Sequence, residues 1–249
     1  MLLCAAALAS CDKVNVQSIT EAPPGGTRIK FANFGLNAPS VNFFADGTKM
    51  TAVTSGTGVE ATTGTAYGSF GAGGYYTDIV PGQHTLAGKI TATTDNGVAI
   101  ANLPATLEAG KFYTFYLSGF YNTTAKTSDA FIVEDPFPAN FDYAQAYVRF
   151  VNASPNASPM TLFAKNTTTA AEVALGGAVA YKAAGTFTAL PAATYDLSTR
   201  VAGSSTNAIS RTGVSFVAGN VYTISARGDM TVTSTSATNR PFLDNTANR

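Results

Sequence analysis

The 249-residue sequence has no tryptophan, one histidine and two cysteines, and only 12% of its side chains are charged. Each shortage closes off a class of function. Any Ser-His-Asp or Cys-His site would have to use His84. An internal repeat places Thr194 or Tyr195 at the same position, so His84 reads as a polar residue at a strand start. One histidine and two cysteines near the N-terminus cannot supply the four ligands of a structural zinc site. No D-x-D-x-D-G loop is present to bind calcium, so neither a metal nor a cofactor is expected. Fifteen basic and fifteen acidic residues balance to zero net charge without a like-charged run, which removes the electrostatic footprint of a nucleic-acid binder. The only adjacent carboxylates, Glu134-Asp135, point to opposite faces of an extended chain and cannot flank one substrate atom. They read as part of a polar linker stiffened by Pro136 and Pro138. Together these absences leave a non-enzyme.

No segment beyond the first ten residues approaches the roughly 18 apolar residues that span a bilayer. MLLCAAALAS (1–10) is too short as well and reads as the apolar core and cleavage region of a signal peptide, although no Lys or Arg precedes it. Leu8-Ala9-Ser10-Cys11 resembles the bacterial lipobox, an aliphatic residue and two small ones before a cysteine. That resemblance implies cleavage before Cys11 and lipidation of its thiol, with the membrane as partner through the lipid. The location it implies is the cell envelope: the outer membrane, the periplasmic face of the inner membrane, or the cell surface. A Cys4–Cys11 disulfide has no fold to hold it. Residues 11–26 follow as lipidated cysteine and tether, ending in Pro23-Pro24-Gly25-Gly26 and spanning on the order of 20 Å.

Past the tether the chain repeats itself. RIKFANFGLNAPSVNFFA (28–45) is echoed by VRFVNASPNASPMTLFA (148–164), with Phe31 on Phe150, Asn33 on Asn152, Asn37 on Asn156 and Phe44 on Phe163. VPGQHTLAGKI (80–90) answers LPAATYDLSTRV (190–201), and LEAGKFYTFYLSG (107–119) answers FVAGNVYTISARG (216–228). Three blocks in one order indicate a duplicated module, and two copies indicate tandem domains rather than a solenoid. Short runs of Val, Ile, Thr, Tyr and Phe broken by Asp46-Gly47, Pro81-Gly82 and Asn96-Gly97 predict strands, with a hairpin at Asp46-Gly47.

The block from Leu107 to Tyr113 resembles the tyrosine corner of fibronectin type III and immunoglobulin-like sandwiches, and Tyr222 takes the same place in the second copy. In the following strand Tyr113, Phe115 and Leu117 form one apolar face, matched by Tyr222, Ile224 and Ala226. The opposite face, Phe112, Thr114 and Tyr116, is aromatic only in the first copy. The expected fold is all-β, two tandem immunoglobulin-like (fibronectin III-like) β-sandwiches at 27–135 and 146–235. A linker at 136–145 joins them and a C-terminal tail at 236–249 follows. The RFVNASP opening, the PAxTY strand start and the AGxxYT strand together resemble an exported bacterial family known as domain of unknown function 4397. That resemblance implies an envelope location and this fold, and it implies no activity.

The stretch YGSFGAGGYY (67–76) lacks the G-K-[ST] ending of a phosphate loop. Its aromatic residues among glycines have the composition of a binding loop. Tyr67, Phe70, Tyr75 and Tyr76, with Phe112 and Tyr116 on the aromatic strand face, are therefore the candidate contacts to a protein or glycan partner. The resulting expectation is a non-catalytic, lipid-anchored protein that binds or spaces something at the envelope. The alternative is an accessory protein that captures carbohydrate or peptide for uptake.

Overall fold

The computed structural model describes residues 26–51 and 63–248; Cys11 and nearly all of the tether lie outside them. Among the described residues, eighteen strands form two modules of two sheets each. In the first module the strands are β1 (Arg28–Asn33), β2 (Val41–Ala45), β3 (Thr48–Lys49), β4 (Ser69–Phe70), β5 (Thr77–Asp78), β6 (Gly82–Ile90), β7 (Ala99–Leu107), β8 (Phe112–Asn122) and β9 (Thr127–Glu134). In the second they are β10 (Gln145–Asn152), β11 (Met160–Asn166), β12 (Glu172–Val179), β13 (Ala183–Ala184), β14 (Thr188–Pro191), β15 (Ala193–Val201), β16 (Ile209–Phe216), β17 (Val221–Arg227) and β18 (Phe242–Ala247). The sheet orders match one for one: β4-β1-β8-β9 over β3-β2-β6-β7, and β13-β10-β17-β18 over β12-β11-β15-β16. The short β5 and β14 add to β1 and β10. The fold is therefore two all-β sandwiches, as expected. Each begins with a strand running parallel to its eighth, β1 beside β8 and β10 beside β17. That order differs from the ABED and CFG sheets of a constant-type immunoglobulin domain.

Period-two patterning explains the cores. Tyr113, Phe115 and Leu117 turn inward with Phe31 and Phe43, whose rings stack at 5.1 Å between centroids. Tyr222, Ile224 and Ala226 do the same beside Phe150 and Leu162. Both tyrosine corners close alike. Tyr113 Oη accepts a hydrogen bond from Glu108 N at 3.0 Å, and Tyr222 Oη accepts one from Val217 N at 3.2 Å. The hairpin at Asp46-Gly47 joins β2 to β3 with both turn residues at positive φ, 49° and 82°, the requirement of a type I′ turn.

One expected boundary changes. Residues 242–247 belong to the second sandwich rather than to a tail, since β18 pairs antiparallel with β17 from Tyr222↔Ala247 to Arg227↔Phe242. Leu243 fills the core and Asp244 pairs with Arg227 at 2.6 Å, so one apolar and one charged side chain anchor this half-polar hexapeptide.

Candidate functional site: the module junction and the glycine-rich turn

Strand register aligns the two modules residue by residue. Lys30 corresponds to Arg149, Thr114 to Thr223, Tyr116 to Ser225, Tyr76 to Phe187 and Tyr67 to Tyr181. Asp135 and Asn248 also correspond, because each donates its backbone N–H at 2.7 Å to the first residue of the preceding long strand, Phe112 or Val221. These equivalent residues meet one another. The β1–β8–β9 face of the first module packs on the β10–β17 face of the second around Phe34, Tyr116, Phe131, Val151 and Ala153.

The polar contacts across this junction are reciprocal, as they would be across a two-fold axis. Lys30 Nζ donates to Asn248 Oδ1 at 2.6 Å, and Arg149 pairs with Asp135. Tyr76 lies 4.8 Å from the Lys30 amine, ring centroid to Nζ, as Phe187 lies 4.8 Å from the Arg149 guanidinium. Near the pseudo-axis Tyr116 Oη meets Ser225 Oγ at 3.1 Å, a large residue facing its small counterpart. The linker's Phe137 stands edge-on to Phe112 of the first module and tilts against Phe187 of the second.

This packing decides the fate of the candidate contacts. Tyr116 is wholly buried, so the expectation that it touches an outside ligand is corrected: the second module covers it. Tyr76 donates to Asp135 Oδ2 at 2.5 Å, and Phe112 packs on Tyr76 and Phe137. Phe70 sits edge-on to Phe34 at 5.5 Å, and Tyr67 lies 5.0 Å from the guanidinium of Arg227 in the second module. Tyr75 alone of the six projects into solvent, 78% exposed.

Sequence reasoning passed over Lys30 and Arg149 and read Asp135 as part of a polar linker. Asp135 is 1% exposed rather than part of a solvated linker, and accepts from Thr114 Oγ1 and Tyr76 as well as from Arg149. The available signal was a basic residue in the middle of an apolar strand at the same place in both copies, RIKFAN and YVRFVN. Since Arg149 already matches the one buried carboxylate of this cluster, the Lys30 amine is a surplus cation. Burial, and then repulsion by Arg149, lower its pKa to about 7. Burial also pushes the Tyr76 and Tyr116 hydroxyls above the usual phenol range.

The other titratable candidates are engaged. His84 places Nδ1 2.7 Å from Asp46 Oδ2 and Nε2 2.7 Å from the Val80 carbonyl. Both nitrogens are occupied, so neither is free to take a proton from a nucleophile. The Thr85 N–H and then His84 hold the Asp46 carboxyl below the usual range. Glu134 pairs with Lys111 at 3.0 Å. Among the described residues no group of three or more His, Cys, Asp or Glu could hold a metal ion.

The glycine-rich turn differs between the modules. Between the equivalent positions Phe70/Ala184 and Tyr76/Phe187, the first module has Gly71-Ala72-Gly73-Gly74-Tyr75 where the second has Gly185-Thr186. The longer segment forms a 3-10 turn with Ala72, Gly73 and Gly74 at φ 50°, 68° and 83°. Three successive left-handed residues need the two glycines. The turn lifts Tyr75 outward and opens a cleft of about 460 Å³ against β18, lined by Ser69, Phe70, Gly73, Tyr75, Asn245 and Thr246 among others.

Comparison with known proteins gives a family and several distant solved structures. The family model described as Domain of unknown function (DUF4397) matches twice, over residues 27–157 and 146–249. A "putative cell adhesion protein" from Bacteroides uniformis is 10% identical, aligned over 88% of this chain and 96% of its own, with a TM-score of 0.24. A second protein so named, from Bacteroides ovatus, is 13% identical over 91% of this chain and 96% of its own, with a TM-score of 0.23. Likeness at that level carries no argument about this chain. No curated protein matches it.

Proposed function

The chain belongs to the family Domain of unknown function (DUF4397), and from that premise we propose a non-catalytic, lipid-anchored protein of the cell envelope that displays a recognition surface. The observation that carries the reading is the junction, which makes the two sandwiches one body and leaves Tyr75, on the turn unique to the first module, facing outward. Recognition surfaces favour rigid aromatic residues of this kind on a fixed scaffold. The absence of catalysis is supported by the engagement of His84, Glu134 and Asp135 in structural contacts.

Cys11 supplies the anchor in this reading and the segment up to residue 26 supplies the reach, on the order of 20 Å. The lipobox supports it. Membrane fractionation and intact mass spectrometry test it. The native chain begins at a diacylated Cys11 in the membrane fraction, and Cys11→Ala leaves an uncut, unlipidated protein. A mature membrane-fraction protein with an unmodified Cys11 thiol would overturn the anchor.

A further inference from the structure

We infer that the cleft between the glycine-rich turn and β18 binds a neutral glycan, with Tyr75 as the stacking ring. This deepens the display reading and rests on it, but concerns ligand chemistry rather than anchoring. The first support is the break in symmetry. Strand register places equivalent positions of the two modules opposite each other at the junction, and the first module's turn is three residues longer than its counterpart. In the second module the tyrosine before the turn is fastened down: Tyr181 donates to Ser118 Oγ at 3.1 Å and Lys182 pairs with Asp129 at 2.6 Å. That end lies against β8 and β9, whereas a space of about 460 Å³ lies between the first module's longer turn and β18.

The second support is the chemistry of the walls. No charged side chain lines the cleft, so nothing there selects a phosphate, a carboxylated sugar or a charged peptide. The lining offers the Tyr75 ring at the lip, the edge of Phe70, the Ser69 and Thr246 side chains and the Asn245 carboxamide. Asn245 Oδ1 is buried at the cleft wall and has no hydrogen-bond partner among the described residues. The glycines bare the backbone at Gly73 and allow close approach. Hydroxyl and amide groups around an exposed ring match a ligand with alternating C–H faces and hydroxyl edges. An apolar peptide side chain would instead need an enclosing hydrophobic pocket.

The test is calorimetric titration of the full chain with neutral hexasaccharides (β-1,4-glucan, β-1,4-xylan, β-1,4-mannan and α-1,4-glucan), beside oligogalacturonate and a casein digest. At least one neutral oligosaccharide is expected to bind. Tyr75→Ala weakens it by about tenfold, the scale of one lost aromatic contact, and Tyr75→Phe keeps it within about threefold. Replacing Gly71–Tyr75 by Gly-Thr, the length found in the second module, abolishes binding while an unchanged melting curve shows the fold intact. Binding of none of the neutral sugars, binding indifferent to Tyr75→Ala, or preference for the uronate or the peptides each overturns the assignment. Those results leave the mass of Cys11 untouched, so failure here and failure of the anchor are told apart.

Discussion

Replacing Lys30 by Met, which keeps the length of the chain and removes the amine, tests the electrostatics of the junction. In the folded protein the amine lies 2.6 Å from Asn248 Oδ1, against the rings of Tyr76 and Phe70 and near Arg149, with a pKa of about 7 in place of 10.5. The unfolded chain therefore binds one more proton than the folded chain between pH 7 and 10.5, and stability from this group rises with pH across that window. At ~1.4 kcal/mol per unit, the full excursion has an upper bound of about 5 kcal/mol, reduced by whatever Tyr76 and Phe70 contribute to the charged form. Lys30→Met removes this dependence. Its cost is the hydrogen bond to Asn248, about 1 kcal/mol and constant with pH. Urea unfolding of both proteins at pH 6, 7, 8 and 9 should find the variant most favoured at pH 6. Its advantage should then shrink by about 2 kcal/mol between pH 7 and 9. A stability difference that stays flat across these pH values would refute the surplus-cation reasoning.

Two further perturbations probe the same frame. Asp135→Asn leaves the Arg149 guanidinium buried without its counter-charge and should destabilise by about 3–5 kcal/mol in chemical denaturation, whereas the double replacement Asp135→Asn with Arg149→Met should recover much of that loss. Tyr113→Phe and Tyr222→Phe each strip the acceptor from one backbone N–H and should cost a similar amount, about 1 kcal/mol, since the two corners share one geometry.

Much of this architecture is legible in the sequence. The alternation of Tyr113, Phe115 and Leu117 against Phe112, Thr114 and Tyr116 is a local pattern, and local patterns survive folding. What covers the second face is not local. A face of Phe, Thr and Tyr has the same composition whether it awaits a ligand or another domain, and its cover here comes from residues such as Ser225, 109 positions away from Tyr116. The buried charges hide for the same reason, because Lys30 meets Asn248 across 218 positions and reads alone as a surface lysine. The length difference at the glycine-rich turn emerges once β4 and β13 set the register, since the alternating Gly and Ala offer no anchor for alignment by eye.

The account stands on the closed junction, which turns five aromatic candidates inward and leaves Tyr75 outside. Limited nitration of the native protein with tetranitromethane, mapped by peptide mass spectrometry, reads that directly. Tyr75 should be modified early, while Tyr116, buried and with its hydroxyl pKa raised, should stay unmodified until the protein unfolds. Nitration of Tyr116 in the folded protein at a rate matching Tyr75 would contradict the junction and the function built on it.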